Sequence, residues 1–196
     1  MIPTTDAPRK GRVTNVSPIY LLKVTLTDIP PPIWRRLQVR GDISLYRLHE
    51  ILQRAMPWEN CHMHQFVVGE TYYGSSDRAV GFEVLSDRST SLRQVASSAN
   101  RRMVYVYDMG DRWEHEIVVE EILPSDQKVR CAECVAGSRA CPPDDCGGPW
   151  GYGNLLEAIK DPKHPEHADL VEWLGRPFDP EAFDLDAINR RLRRLR

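Results

Sequence analysis

Hydrophobic and polar positions change period several times along this chain, and each change marks an element. From Ile19 to Leu26 the alternation puts Tyr20, Leu22, Val24 and Leu26 on one face, which predicts a strand. Pro30-Pro31-Pro32 forces a turn, because proline fixes φ and cannot donate to a ladder, and Ile33 to Val39 predicts a second strand paired with the first. Gly41-Asp42 breaks that strand. Ser44 is a suitable N-cap for a helix whose apolar positions, Leu45, Leu48, Ile51, Leu52 and Ala55, recur at helical spacing until Pro57. Period two returns at His62–Val68, ended by Gly69, with Glu70–Tyr73 as a returning strand. Residues 74–90 read as a loop and Ser91–Ala96 as a short helical turn. Met103–Tyr107 and Trp113–Ile122 read as two strands joined by the Asp108-Met109-Gly110-Asp111 turn.

After Pro124 the periodicity lapses. Residues 125–150 hold four cysteines, a Pro pair and a Gly pair, and read as a loop. Three helices follow: Gly153–Lys160, one opening at Pro165 and closing before Gly175, and one from Asp184 to the end with Leu185, Ile188, Leu192 and Leu195 on a stripe. The fold class expected is α+β. The order of elements suggests a β-grasp-like mixed sheet packed on one helix, then the Cys-rich loop and a helical C-terminal segment. Residues 1–17 are expected as a disordered arm rich in Pro, Thr and charge. Residues 18–124 form the core, and 125–196 pack on it within one domain.

Composition narrows the functional classes. The 41% hydrophobic and 28% charged fractions are those of a globular protein, and a net charge of −2 argues against a whole-surface nucleic-acid binder. No apolar run approaches the ~18 residues of a membrane span. The stretch MIPTTDAPRKGRVTNVSP has no apolar segment of the kind a secretory signal carries, so a cytoplasmic chain with reduced thiols is expected.

The cysteines are spaced Cys131-x2-Cys134-x6-Cys141-x4-Cys146. A C-x2-C turn sets two sulfurs on one side at ~2.3 Å from a tetrahedral zinc, and the two prolines of CPPDDC stiffen the second pair. Structural zinc on Cys131, Cys134, Cys141 and Cys146 is the reading preferred here; a full four-thiolate site is closed and stabilises without catalysing. Reduced thiols packed in a loop, a disulfide, or a redox pair at Cys131 and Cys134, are the alternatives.

Histidine and aspartate form a second constellation. His62, His64, Phe66 and Val68 share one strand face, as do Trp113, His115, Ile117 and Val119, while Glu114, Glu116 and Glu120 take the other. If the two strands are neighbours, His64 and His115 converge near Asp108 or Asp111. That group would suit an open metal position or acid–base chemistry. Against it stands the ordinary role of Asp as a turn former and of a half-buried His as a hydrogen-bonded core residue. Cys61 beside His62 has no identified base, and His164-x2-His167 straddles a helix start at the surface. Arg190, Arg191, Arg193, Arg194 and Arg196 read first as a solvated helix end favoured by the dipole and second as a phosphate-contacting patch, with Trp34-Arg35-Arg36 as an extension of it or Trp34 as core.

Six strings, in order along the chain, carry a family resemblance: PPIWRRLQV (31–39), LHEILQRAMPW (48–58), HMHQF (62–66), YVYDMGDRWEHEI (105–117), ACPPDDCGGPWGY (140–152) and FDPEAFDLDAINRRLR (178–193). The chain resembles the plasmid pRi-type ORF-three-like family, small proteins carried by plasmids and some insertion elements. The resemblance implies no assigned activity. It also implies that Cys131 is not a regular family position, so that a four-ligand site would be partly particular to this chain. No phosphate-binding glycine loop, nucleophile elbow or zincin helix is present, so an enzyme has no positive motif. The expected function is a non-catalytic binding or adaptor module of plasmid or transposon type, with a protein or nucleic-acid partner. The alternatives are a metal-dependent enzyme using the His/Asp group and a nucleic-acid binder using the basic C-terminal helix.

Overall fold

Alternation builds the first hairpin as expected. The computed structural model describes residues 17–74, 83–97, 100–124 and 132–195. Within it, β1 (Ile19–Leu26) buries Tyr20, Leu22, Val24 and Leu26 and pairs antiparallel with β2 (Ile33–Arg40), Leu22 opposite Leu37. α1 (Leu45–Ala55) is capped by the Ser44 hydroxyl, which accepts from the Arg47 N–H at 3.1 Å, and Leu45, Leu48, Ile51, Leu52 and Ala55 all enter the core. β3 (His64–Val68), β4 (Thr71–Gly74), β5 (Val84–Ser86), α2 (Leu92–Val95), β6 (Arg102–Tyr107) and β7 (Trp113–Leu123) follow.

The α+β class is what the structure shows. The sheet is larger than the sequence implied: one eight-stranded sheet in the order β5-β4-β3-β6-β7-β1-β2-β8. It is mixed only at one edge, where β4 and β5 run parallel; every other pairing is antiparallel, including β1 with β7.

The eighth strand corrects the reading of 125–150 as loop throughout. β8 (Ala132–Ser138) adds to the edge of β2, Trp34 opposite Ser138 and Val39 opposite Ala132. Its sequence, AECVAGS, buries only Cys134 fully, so no apolar alternation announces it; the free edge of β2 supplies the order. The helices α3 (Gly148–Lys160), α4 (His167–Leu174) and α5 (Leu185–Leu192) complete the chain, α3 starting five positions before the expected Gly153. Asn189 of α5 clamps β8, accepting from the Cys134 N–H at 2.9 Å and donating to its carbonyl at 2.8 Å. Segment 132–195 is thus built into the same sheet and core as the first half. The expected arm at 1–17 lies, but for Ser17, outside the described residues, as does Arg196.

Strand alternation also turns Arg35 inward, where it is 2% exposed. Its guanidinium donates to the carbonyls of Ala55, Trp34, Ser138 and Arg139 and lies over the Phe183 ring, so it is no part of a surface patch. Trp34, on the outer face, lies under Lys23 and Arg36. No helix among the described residues is long and apolar enough to cross a membrane.

Candidate metal centre

The two predicted histidines do not converge. β6 lies between β3 and β7, with His64 opposite Tyr107 and Tyr105 opposite His115. His64 Nε2 meets Asp87 Oδ2 at 2.8 Å, and its ring stacks on His49 with centroids 3.5 Å apart. His49 in turn contacts Asn60 Oδ1 at 2.7 Å through Nε2 and the Tyr105 hydroxyl at 2.8 Å through Nδ1, and that hydroxyl accepts from the Gln53 amide at 3.0 Å. Burial, then the neighbouring His64, pushes the His49 pKa down to about 3. His115 is fully buried, bonded through Nδ1 to the Tyr105 carbonyl at 3.2 Å, and burial lowers its pKa to about 4. His49 and His115 are both buried, 2% and 0% exposed.

The chemistry-bearing group that does assemble is two residues upstream of His64. His62 Nε2 lies 2.9 Å from Asp145 Oδ1 and 3.6 Å from Asp108 Oδ2, and one atom from each residue falls within 4.8 Å of the other two. Among the described residues this is the one group of three that could hold a metal ion. Ligand atoms around a tetrahedral ion with ~2.0–2.1 Å bonds stand ~3.3 Å apart, between the two separations observed. His62 Nε2 is itself buried and, despite its 2.9 Å approach to Asp145, lacks the alignment of a hydrogen bond.

Local backbone explains why these two acids point together. Asp108 opens the β6–β7 turn at φ 58°, with its own Oδ1 accepting from the Gly110 N–H at 2.8 Å; Asp145 adopts φ 60°. Aspartate tolerates this left-handed region because its short side chain bonds locally. The loop carrying Asp145 is fastened to the opposite wall by three contacts: Trp58 Nε1–H to the Pro142 carbonyl at 3.0 Å, Glu59 N–H to Asp144 Oδ2 at 2.7 Å, and Gly147 N–H to Asp111 Oδ2 at 3.1 Å. Asp111 therefore holds a loop in place and is not in the group, whereas Asp108 is. Neighbouring Asp144 keeps Oδ1 buried and unpartnered, and burial raises its carboxyl pKa. Asp144 and Asp145 also line a cleft of about 860 Å³ that runs to Trp173, Phe178 and Arg191.

Sequence reasoning named Asp108 but missed Asp145. The signal was the Asp144-Asp145 pair inside CPPDDC, hidden by reading that string only as a cysteine framework.

Cys131 lies outside the described residues, and with it the four-ligand site. Cys134 sits on β8 with its thiol toward the Ala136 carbonyl at 3.4 Å. Burial raises its pKa, and pushes the thiols of Cys141 and Cys146 up to about 12. Cys61 is exposed, 3.8 Å from the Tyr107 hydroxyl. His167 bonds the Ala158 carbonyl at 2.7 Å, and Arg190, Arg191, Arg193 and Arg194 are exposed around the buried Ile188 and Leu192.

A family model described as Plasmid pRiA4b ORF-3-like protein matches residues 18–187. The Uncharacterized protein y4hQ of Sinorhizobium fredii (strain NBRC 101917 / NGR234) is 37% identical over 177 residues, covering 89% of this chain and 91% of that protein. Among solved structures, the protein of unknown function MM3350 from Methanosarcina mazei Go1 is similar at a TM-score of 0.81 and 36% identity, over 88% of this chain and 97% of that one.

Proposed function

This chain belongs to the plasmid pRiA4b ORF-3-like family, and on that premise we propose that it is a binding module whose ligand engages a divalent cation held by His62, Asp108 and Asp145. The observation that carries the reading is the convergence of the three ligand atoms around a buried His62 Nε2 that no aligned hydrogen bond satisfies. One imidazole and two carboxylates suit Zn²⁺, Mn²⁺ or Fe²⁺. Three protein ligands leave at least one position free, and Asp145 brings that position to the cleft, where a ligand group can complete the shell.

A second reading, a metal-dependent enzyme, is favoured by Asp144. Burial raises the pKa of its carboxyl, so beside a bound cation it would supply a base for proton transfer from a coordinated water.

Calorimetric titration of chelator-stripped protein with Mn²⁺ and with Zn²⁺ tests the site. One ion per chain is expected, abolished by His62→Ala and retained by Cys134→Ser and Cys141→Ser. Absence of binding overturns the reading; binding lost in the cysteine variants but kept in His62→Ala returns the metal to the cysteine cluster as structural zinc.

A further inference from the structure

The string Cys146-Gly147-Gly148-Pro149-Trp150-Gly151 contributes no ligand to the cation group, yet its backbone is tightly specified. Gly147 and Gly148 adopt φ 89° and 67°. A Cβ on Gly148 would stand 2.5 Å from the Asp111 carbonyl oxygen, and one on Gly151 would stand 1.9 Å from that of Cys146. Only glycine fits these positions, and together they seat the start of α3 against the 108–112 turn.

What this turn presents outward is Trp150, 91% exposed, whereas Trp58 and Trp113 are buried. Leaving an indole in water forgoes the largest apolar burial any side chain offers, and a rigid exposed indole is the usual anchor of an interface. Beside it lies a cleft of about 790 Å³ whose charged lining residues, Asp28, Asp111 and Glu157, are all acidic. A helix N-terminus alone favours an anion. Here the Gly147 N–H is already given to Asp111, and three carboxylates outweigh the half charge of the dipole. The cleft therefore selects a cation.

We propose that Trp150 and this acidic cleft form a docking surface for a polypeptide partner that presents arginine or lysine side chains, one cationic head lying over the indole face and others between Asp28 and Glu157. Charge complementarity selects the partner, and the ring supplies cation–π contact together with apolar area for the side-chain stem.

A fluorescein-labelled hexa-arginine peptide, read by anisotropy at low salt against hexa-glutamate and Gly-Ser peptides of equal length, tests it. Saturable binding of the arginine peptide alone is expected, falling as salt rises. Trp150→Ala should weaken it about tenfold and Trp150→Phe should restore part of the loss. Asp28→Asn with Glu157→Gln should flatten the salt dependence. Equal affinity in Trp150→Ala, equal binding of the control peptides, or no binding at low salt overturns the proposal. So does sedimentation showing Trp150-dependent self-association, which would make a second copy of this chain the occupant.

Discussion

His62 and His64 are two residues apart and each faces an aspartate, yet they belong to opposite kinds of environment. His64 lies on β3 against Asp87, which is 1% exposed, in a chain of contacts through His49, Tyr105, Gln53 and Asn60. His62 precedes the strand, its ring 29% exposed, facing an Asp145 that is 66% exposed. In the first set the ring nitrogens find aligned partners; in the second, nitrogen and oxygens converge without satisfying one another. Residue type does not separate a structural histidine from a ligand. The number of aligned partners and the presence of an opening do.

The largest effect should come from breaking the closed set. Asp87→Ala leaves the His64 nitrogen without its buried partner, and a loss of about 3–5 kcal/mol in urea unfolding is expected, as for other buried pairs broken on one side. A loss below about 1 kcal/mol would erase the distinction between the two regions.

Acid should attack the same region. The pKa of His115, about 4, and that of His49, about 3, both lie below the unfolded value of 6.5, so between those limits the unfolded chain binds protons that the folded chain refuses. Their contribution is complete above pH 6.5 and lost as pH falls, toward 4 for His115 and toward 3 for His49, amounting to about 3 kcal/mol for His115. Unfolding midpoints at pH 7 and pH 4.5 measure it, and His115→Gln should flatten the slope between them.

The open set depends on rigid loops more than on its own bonds. Gly148→Ala forces a Cβ toward the Asp111 carbonyl in a left-handed position, for an expected cost of about 1–3 kcal/mol. It should also weaken Mn²⁺ binding, by displacing the turn that carries Asp108. The smallest stability effect belongs to His62→Ala: within about 0.5 kcal/mol without metal. That variant should nevertheless lose the metal-induced rise, about 2.7 kcal/mol in wild type at a hundredfold excess over Kd, which thermal unfolding with and without Mn²⁺ reads directly.

Much of the fold was legible because it is local. β1, β2, β6, β7 and α1 follow from period two or from 3.6-residue spacing, and the inward faces at Tyr20–Leu26 and Trp113–Val119 are those observed. Strand order is not local. Nothing in HMHQF or WEHEI tells that β6 passes between them, and that insertion keeps His64 from His115. β8 escaped because an edge strand of small residues needs only a free neighbour. Asp108 could be picked out as a turn aspartate with a function, but its partner Asp145 lies 37 positions later in a loop with no periodicity. Only the folded loop, held by Trp58 and Glu59, brings them within reach.

The place of β8 on β2 bears on how this chain can be shortened. Cutting before Ala132 removes more than a helical appendage: it bares the flank of β2 from Trp34 to Val39, a row of unclaimed amide and carbonyl groups. The Arg35 guanidinium would lose the Ser138 and Arg139 carbonyls at the same time, leaving a charge in the interior with half its acceptors. A fragment of that kind offers a template for another strand beside an unquenched cation. Its expected fate is precipitation through strand-to-strand growth, so the C-terminal third is the guard that keeps the sheet finite.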